Sequence, residues 1–339
     1  MKNKILSVFI ALALQSSAVL AKTDSRPKTG PVLAKITLVN LAPFQFGRTE
    51  FGKLLWKGGI KISSTDPRFG GFSGLALSRN GERFVAVSDR AWWLKGSFVF
   101  KNERLAGATG LTMAPLRIEA GRRGWRWSDS ESVAPWSARG IDGRLLVAFE
   151  RRERILSYRF GRNGPAARPS RIRLPKAVSS GPFNRELEAI GRFYSGPKKN
   201  WLIAVSERNF DKSGNIRGWS WRGKRTFSWS LKRFEDYDIT DLVIAPDGKS
   251  FFTLERSFNL PNLPGFAIRR FKTKDLKGGQ TIEGELLFAG RQPFFSIDNM
   301  EGIALHKTKE GKLQLTLISD DNFNRTIQST LIFRFELAG

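Results

Sequence analysis

The chain has 339 residues and carries 57 lysines and arginines against 31 aspartates and glutamates, a formal net charge of +26. It has no cysteine and one histidine, which excludes disulfides, thiol chemistry and histidine-rich zinc sites. So basic a chain attracts anionic partners, although a solvated basic surface would account for the charge as well.

The N-terminal segment is predicted to be a targeting sequence. Residues 1–21 read MKNKILSVFIALALQSSAVLA, in which Lys2 and Lys4 precede an apolar run that ends in small residues. This order is typical of a secretory signal peptide, and the run is too short to span a membrane. We therefore expect a signal peptide over 1–21 and one domain over 22–339 in a soluble, periplasmic or secreted protein. An uncleaved membrane anchor is the alternative.

Further along the chain, five segments repeat one order of elements. Each has a short apolar strand, a turn, a longer apolar strand and a closing acid, as in GLALSRNGERFVAVSD. The segments start 53 to 60 residues apart, at Ser73, Glu131, Glu188, Asp241 and Glu301. Short strands at this period are typical of a β-propeller with one small sheet per repeat, whereas a β-sandwich does not require the repeat.

The number of blades depends on the two ends of the chain. The last repeat, 301–339, is shorter than one period, so a strand from elsewhere must complete it. KITLVNLA, residues 35–42, is predicted to close the ring beside the C-terminal strands. Residues 43–72, which include LLWKGGIKIS, then form a short extra blade or an elaboration. The sequence thus predicts an all-β propeller, with six blades preferred to five.

The residues of the repeat also carry a family resemblance. GGFSGLALSRNGERFVAVSDRAWWL, NRELEAIGRF, ITDLVIAPDGKSFFTLERSF and DNMEGIALHK with LTLISDDNFN resemble the phytase-like group of exported bacterial proteins, named for an esterase-like activity of phytase, over residues 56–337. The resemblance implies a propeller of six blades and calcium-assisted hydrolysis of phosphate esters. Two departures from a symmetric metal ring are visible: SDSESVA lacks the glycine of the pattern, and Ser73 stands where other repeats have an acid.

The polar residues of the repeats are the candidate functional groups. If the first strand of each repeat is innermost, its acids converge at one end of the central channel, where clustered carboxylates need a cation, protons or arginine. Calcium suits such oxygen ligands. The predicted metal ligands are Glu131, Glu188, Asp241, Glu301, Asp320, Asp321 and Asn322. The predicted anion-binding residues are Arg90, Arg151, Arg185, Arg208 and Arg256. No catalytic residue is assigned.

Two interpretations of these acids stay open. In the first, they hold calcium and the protein hydrolyses phosphate esters or related anionic esters. In the second, each acid caps backbone amides and each acid–arginine pair bridges neighbouring blades. The protein would then be a non-catalytic binding propeller that recognises an envelope polyanion. A serine-esterase mechanism would need His306 and lacks a G-x-S-x-G elbow.

The expected partners are a small anionic substrate or an envelope polyanion. We expect no nucleic acid, no transmembrane segment and a monomer. The tryptophans are mixed with basic residues, which fits either sugar and polyanion binding or packing between blades. They are Trp92, Trp93, Trp125, Trp127, Trp219, Trp221 and Trp229.

Overall fold

The computed structural model describes residues 29–119, 125–161, 164–178, 187–258 and 263–338. The predicted signal peptide, residues 1–21, and Arg185 lie outside these ranges. No helix in the described ranges has the length and apolar character needed to cross a membrane.

The strands follow one another along the chain with short connections. The N-terminal strands are β1 (Gly30–Pro31), β2 (Lys35–Leu38), β3 (Glu50–Phe51) and β4 (Leu54–Ser63). The next four are β5 (Phe72–Leu77), β6 (Arg83–Ser88), β7 (Trp92–Lys101) and β8 (Arg104–Pro115). A one-turn helix, α1 (Trp125–Ser128), precedes β9 (Ser130–Pro135), β10 (Arg144–Phe149), β11 (Arg154–Gly161) and β12 (Gly164–Ile172).

The C-terminal half continues the same pattern. It begins with β13 (Ala189–Arg192), β14 (Leu202–Phe210), β15 (Ile216–Arg222) and β16 (Arg225–Leu231). It continues with β17 (Asp238–Ile244), β18 (Ser250–Ser257), β19 (Gly265–Lys272), a 3₁₀ turn (Thr273–Asp275), β20 (Thr281–Ile282) and β21 (Glu285–Arg291). It ends with β22 (Asn299–Lys307), β23 (Leu313–Asp320) and β24 (Thr330–Leu337).

The described strands form five sheets, each the blade of a β-propeller. Their strand orders are β1-β8-β7-β6-β5 in blade 1, β12-β11-β10-β9 in blade 2, β13-β14-β15-β16-β20 in blade 3, β17-β18-β19-β21 in blade 4 and β2-β4-β24-β23-β22 in blade 5. The innermost strands are β5, β9, β13, β17 and β22, which contact one another around the central channel. The all-β propeller is therefore confirmed.

The preference for six blades was wrong, and the reason lies in strand β4. This strand, LLWKGGIKIS, pairs antiparallel with β24, with Ile60 opposite Ile332, and so supplies the fourth strand of blade 5. Strand β2 adds a fifth strand outside it. Residues 43–72 thus complete the last blade instead of building another. The predicted closure of the ring by N- and C-terminal strands is confirmed, but the strand that pairs with the C-terminal strand is β4 and not KITLVNLA.

Buried side chains fill the spaces between neighbouring blades. Trp93 of blade 1 meets Tyr158 of blade 2 edge-on, with ring centroids 5.3 Å apart. Trp229 of blade 3 packs on Phe251 of blade 4 in a tilted arrangement, with ring centroids 6.2 Å apart. Trp219 and Trp221 are also buried, in the cluster that blade 3 shares with blade 2. Packing between blades is therefore the role of these four tryptophans.

Glycine allows the inner strands to approach closely. A Cβ at Gly74 would lie 2.7 Å from the backbone nitrogen of Val133 in the next blade, and one at Gly302 would lie 3.0 Å from that of Leu75. Backbone atoms cannot move aside as a flexible side chain can, which explains the glycine after the first polar residue in two repeats.

Candidate functional site

The start of the inner strands is the end of the channel where acidic side chains gather. Four of the five inner strands have an irregularity at this level, and the extra residue is Ser73, Glu131, Thr240 or Glu301. In blade 3, Glu188 directly precedes β13 and its amide donates to Val205 O. A bulge re-aims the side chain of its extra residue. We call the residues at this end of the channel the mouth.

A second set of mouth residues comes from the end of the neighbouring strand in each blade. In the four blades with a bulge, the residue directly after the partner of the bulge is Asp89, Glu150, Arg256 or Asp320. In blade 3, whose inner pair of strands has no bulge, the closing acid of the repeat is Glu207. Four of these residues are acids and the fifth, in blade 4, is an arginine. The mouth is therefore a ring of carboxylates with one cation built into it.

Blade 4 departs from the alignment of the sequence repeats by one residue. The repeats placed Asp241 and Glu255 level with the other acids, but the register places Thr240 and Arg256 there. Glu255 is fully buried and accepts a hydrogen bond of 2.7 Å from Arg269 within the blade. Because side chains alternate along a strand, a shift of one residue moves a side chain to the other face.

Asp241 lies deeper in the channel and is fully buried. One carboxylate oxygen accepts a hydrogen bond of 2.7 Å from Ser132 Oγ, and the other accepts one of 2.9 Å from the Ile303 amide. The Ile190 amide donates to the same Ser132 hydroxyl. Asp241 therefore connects blades across the channel, as the architectural interpretation of the acids expects.

The tightest group of carboxylates in the mouth belongs to blade 2. Asp129, Glu131 and Glu150 each place a carboxylate oxygen within 4.8 Å of the others. Burial, together with Asp129, raises the pKa of Glu150 to about 7. Burial and the charges of Asp129 and Glu150 raise the pKa of Glu131 well above its usual value. Three hard oxygen donors at this spacing suit a calcium ion, which would relieve their mutual repulsion.

Glu188 faces this group from blade 3. It is 7% exposed and accepts no hydrogen bond from any residue within the described ranges. Burial and the charges of Glu207, Glu131 and Glu150 raise its pKa well above the usual value. No donor in the described part of the chain hydrogen-bonds this carboxylate, although Arg256 lies near enough to attract it electrostatically, so its oxygens are available to a bound cation.

The opposite half of the mouth is neutralised by Arg256. Its guanidinium donates to Glu301, to Glu207 at 3.2 Å and to Asn299 at 2.7 Å. Asn299 also donates to Glu301 at 2.7 Å. Burial opposes the charge of Arg256, but the surrounding carboxylates raise its pKa nonetheless. Glu301 is therefore held by chain donors, unlike Glu188.

The remaining predicted ligands lie towards blade 1. Asp320 is buried beside Glu301, and its Oδ1 accepts from the Asn322 amide at 2.7 Å. Asp321 Oδ1 accepts from the Gly71 amide of blade 1 at 3.2 Å and from the Phe323 amide at 3.0 Å. Asp321 thus ties blade 5 to blade 1. The Asn322 side chain is exposed.

The predicted anion-binding arginines surround the mouth but differ in their partners. Arg151 pairs with Asp129, and Arg208 pairs with Asp238 at 2.7 Å while its side chain stays 50% exposed. Arg90 is exposed and stacks on the Phe323 ring. Arg256 is committed to the acids of the mouth. The rim arginines therefore present positive charge around the carboxylates.

His306 lies away from the mouth, five residues beyond Glu301 on β22. Burial and the nearby Arg334 lower its pKa to about 3, so the imidazole is neutral. It packs against Gly81 in the β5–β6 turn of blade 1. This placement agrees with the absence of a nucleophile elbow in the sequence.

The arrangement can be compared with known proteins. A model of the Phytase-like family, described as esterase-like activity of phytase, matches residues 67–323. The chain belongs to the Phytase-like family. No curated protein sequence matches it. Among solved structures, a functionally unknown protein from Desulfotomaculum acetoxidans is similar, at 13% identity and a TM-score of 0.33, over 81% of this chain and 75% of that one.

Sequence reasoning missed part of this Phytase-like mouth. Asp129 was overlooked because it precedes the strand that carries Glu131. Asp89, Glu150 and Glu207 were seen as the closing acids of the repeats but were not assigned to the site. Their signal was the acid at the end of each longer strand. The family match spans all of these positions.

Proposed function

We propose that this Phytase-like propeller hydrolyses phosphate esters or related anionic esters with a divalent cation, calcium, at the mouth. The observation that supports this most is the group of Asp129, Glu131 and Glu150 within 4.8 Å, faced by Glu188, which accepts no hydrogen bond from the described residues. A cluster of carboxylates by itself often has only a structural role. Glu188, which has no hydrogen-bond donor in the described part of the chain, is what favours a bound cation over architecture.

The chain's own residues would have distinct roles in such a reaction. Asp129, Glu131 and Glu150 would hold the cation, and Glu188 would complete the oxygen set. A bound divalent cation supplies a Lewis acid for phosphoryl oxygens and lowers the pKa of a coordinated water. The exposed arginines of the rim, Arg90 and Arg208, would attract the anionic group and hold its oxygens.

Arg256 has a different place in this proposal. It neutralises Glu207 and Glu301, so that half of the mouth does not need a metal ion. Of the seven metal ligands predicted from sequence, the proposal therefore keeps Glu131 and Glu188. It adds Asp129 and Glu150 of blade 2. Asp241 and Asp321 accept backbone amide hydrogen bonds from neighbouring blades and would serve the ring.

The test is calcium titration by calorimetry together with a hydrolysis assay on p-nitrophenyl phosphate. We expect saturable binding and a turnover that chelator abolishes and calcium restores. Glu131→Gln should lose both. Asp142→Asn is the matched control, because Asp142 is 46% exposed and pairs with Arg83 between the first turns of blades 1 and 2, at the end of the channel opposite the mouth. It should retain both.

Two results would contradict the proposal. One is the absence of calcium binding in the native chain. The other is binding without turnover of any phosphoester, which would favour the non-catalytic binding propeller. We also propose that the protein is exported through residues 1–21, and N-terminal sequencing of the mature protein tests this directly.

A further inference from the structure

The face opposite the mouth carries a second charged feature. Each inner strand runs from a mouth residue towards the other end of the channel, so residues that follow these strands lie on the opposite face. Trp136 directly follows β9, and Arg192 ends β13. In blade 3, Leu202 pairs with Arg192 and Trp221 pairs with Leu202, so these residues lie at the same end of the blade. Aromatic and basic residues of blades 2 and 3 are thus brought to one edge.

On blade 2, the cations lie over an indole ring. The guanidinium of Arg192 is 4.1 Å and that of Arg144 is 5.3 Å from the centroid of Trp136. Arg192 also donates to the backbone oxygen of Trp136 and, at 2.6 Å, to Asn200 of the adjacent turn. These contacts fix the guanidinium of Arg192 between the two blades.

On blade 3, the arrangement continues past Asn200. Trp201 packs against Phe227, with ring centroids 5.2 Å apart. Lys198 lies 5.7 Å from the Trp201 centroid and 5.0 Å from that of Phe227. Arg222 lies 5.6 Å from the Trp201 centroid. Four cations are therefore held by aromatic rings along one edge.

These four cations differ from other basic residues of the protein in their partners. None of Arg144, Arg192, Lys198 and Arg222 forms an ion pair with a carboxylate in the described part of the chain. Elsewhere, Arg83, Arg270 and Lys312 pair with acids at 2.6, 2.6 and 3.0 Å. Burial and the nearby Lys277 lower the pKa of Lys198. Positive groups held together without compensation favour an anion from outside the chain.

We propose that this basic strip, formed by Trp136, Arg144, Arg192, Lys198, Trp201 and Arg222, binds an anionic polysaccharide. The strip crosses two blades, which suits an extended polymer better than a single small anion. Nucleic acid is the less favoured occupant, because base stacking requires open aromatic faces and cations already lie over these rings. Recognition would rest on anionic groups, which the guanidinium edges bind in a planar, directional manner.

The experiment measures binding of the full chain to polygalacturonate over a series of salt concentrations. The strip variant is Lys198→Gln with Arg222→Gln. The control variant is Lys101→Gln with Arg104→Gln, which removes one lysine and one arginine from the exposed tip of the β7–β8 hairpin. Both variants lose the same charge, so a nonspecific charge effect would weaken both equally. Neutral dextran and a thymidine oligonucleotide are the comparison ligands.

We expect the strip variant to bind polygalacturonate about tenfold more weakly and with a shallower salt dependence, while the control changes by less than about twofold. Dextran should not bind. Equal losses in the two variants would overturn the proposal, as would binding of the oligonucleotide that is tighter than that of polygalacturonate and lost in the strip variant. Arg144→Gln is a second variant at the blade 2 end, where the same loss is expected.

Discussion

Ser132 of blade 2 donates a hydrogen bond of 2.7 Å to Asp241 of blade 4, across the channel between blades that are not neighbours in the ring. The glycine missing from the second repeat is therefore replaced by a side chain with a partner. Asp241 also accepts the Ile303 amide of blade 5. The hydrogen bonds of a single buried carboxylate thus join three blades at the centre of the molecule.

Asp241→Asn is expected to destabilise the fold strongly. The amide can accept from one donor only and presents its NH₂ to the other, which leaves a buried donor unpaired. We expect a loss of about 2–4 kcal/mol, and about 1–2 kcal/mol for Ser132→Ala. Urea denaturation measures both. The exposed Asp142→Asn should change stability by less than about 0.5 kcal/mol. An unchanged urea denaturation midpoint for Asp241→Asn would show that the hydrogen bonds of Asp241 do not stabilise the ring.

Arg256→Gln should create a second cation site. Removing the guanidinium leaves Glu207 and Glu301 without their neutralising charge, at a cost of about 3 kcal/mol in the presence of chelator. Calcium should recover part of that stability, and the calorimetric stoichiometry should rise from one ion to two. Arg83→Gln is the control, because Arg83 is 46% exposed and pairs with Asp142, away from the mouth. A stoichiometry that stays at one would contradict the assignment of Arg256 as an internal cation.

The metal-free protein should lose stability as the pH rises. Burial and neighbouring acids raise the pKa of Glu150 to about 7 and that of Asp89 to about 6. Both groups titrate lower in the unfolded chain, so over that interval the folded state holds more protons and the unfolding free energy falls with pH. We expect a loss of about 2 kcal/mol between pH of about 5 and about 8 in chelator.

Calcium should remove most of this pH dependence, because the ion compensates the ionised carboxylates. Thermal melts at the two pH values, with calcium and with chelator, provide the measurement. Stability that rises with pH in chelator would mean that the mouth acids are already compensated within the chain.

Gly74→Ala should destabilise the ring by forcing two inner strands apart. The added Cβ would lie 2.7 Å from the backbone nitrogen of Val133, and we expect a cost of about 2–3 kcal/mol. Gly143→Ala is the matched control, because its nearest contact is a side-chain atom 3.6 Å away. That variant should be neutral or slightly stabilising. Equal denaturation midpoints for the two variants would contradict this account of the glycine.

The propeller could be predicted from sequence because each repeat contains its own strands and turns. Turn dipeptides such as Asp142-Gly143 and the recurring apolar runs are local signals. The number of blades is not determined by local sequence signals. It depended on which strand β4 would pair with, and its partner, β24, lies at the far end of the chain. Nothing within LLWKGGIKIS distinguishes an inner strand of a sixth blade from the closing strand of a fifth.

The clustering of acids at the mouth was predicted from sequence, but the strand register of blade 4 was not. DITDL offers an acid on either side of the bulge residue Thr240, and a bulge has no residue type of its own. Sequence alignment therefore chose Asp241 and paired it with Glu255. The actual pair, Thr240 and Arg256, makes blade 4 the one blade that contributes a cation in place of a carboxylate.

The pairing of β4 with β24 also sets the order in which the molecule can be completed during synthesis. One edge of β4 is covered early by β2, with Leu38 opposite Ile60, while its other edge has no partner until Thr330–Leu337 has emerged. An uncovered edge recruits strands from other molecules. A chain that stops before β24 therefore leaves one edge of β4 unpaired and open to pairing with strands of other molecules. Premature termination should yield aggregates instead of a smaller propeller.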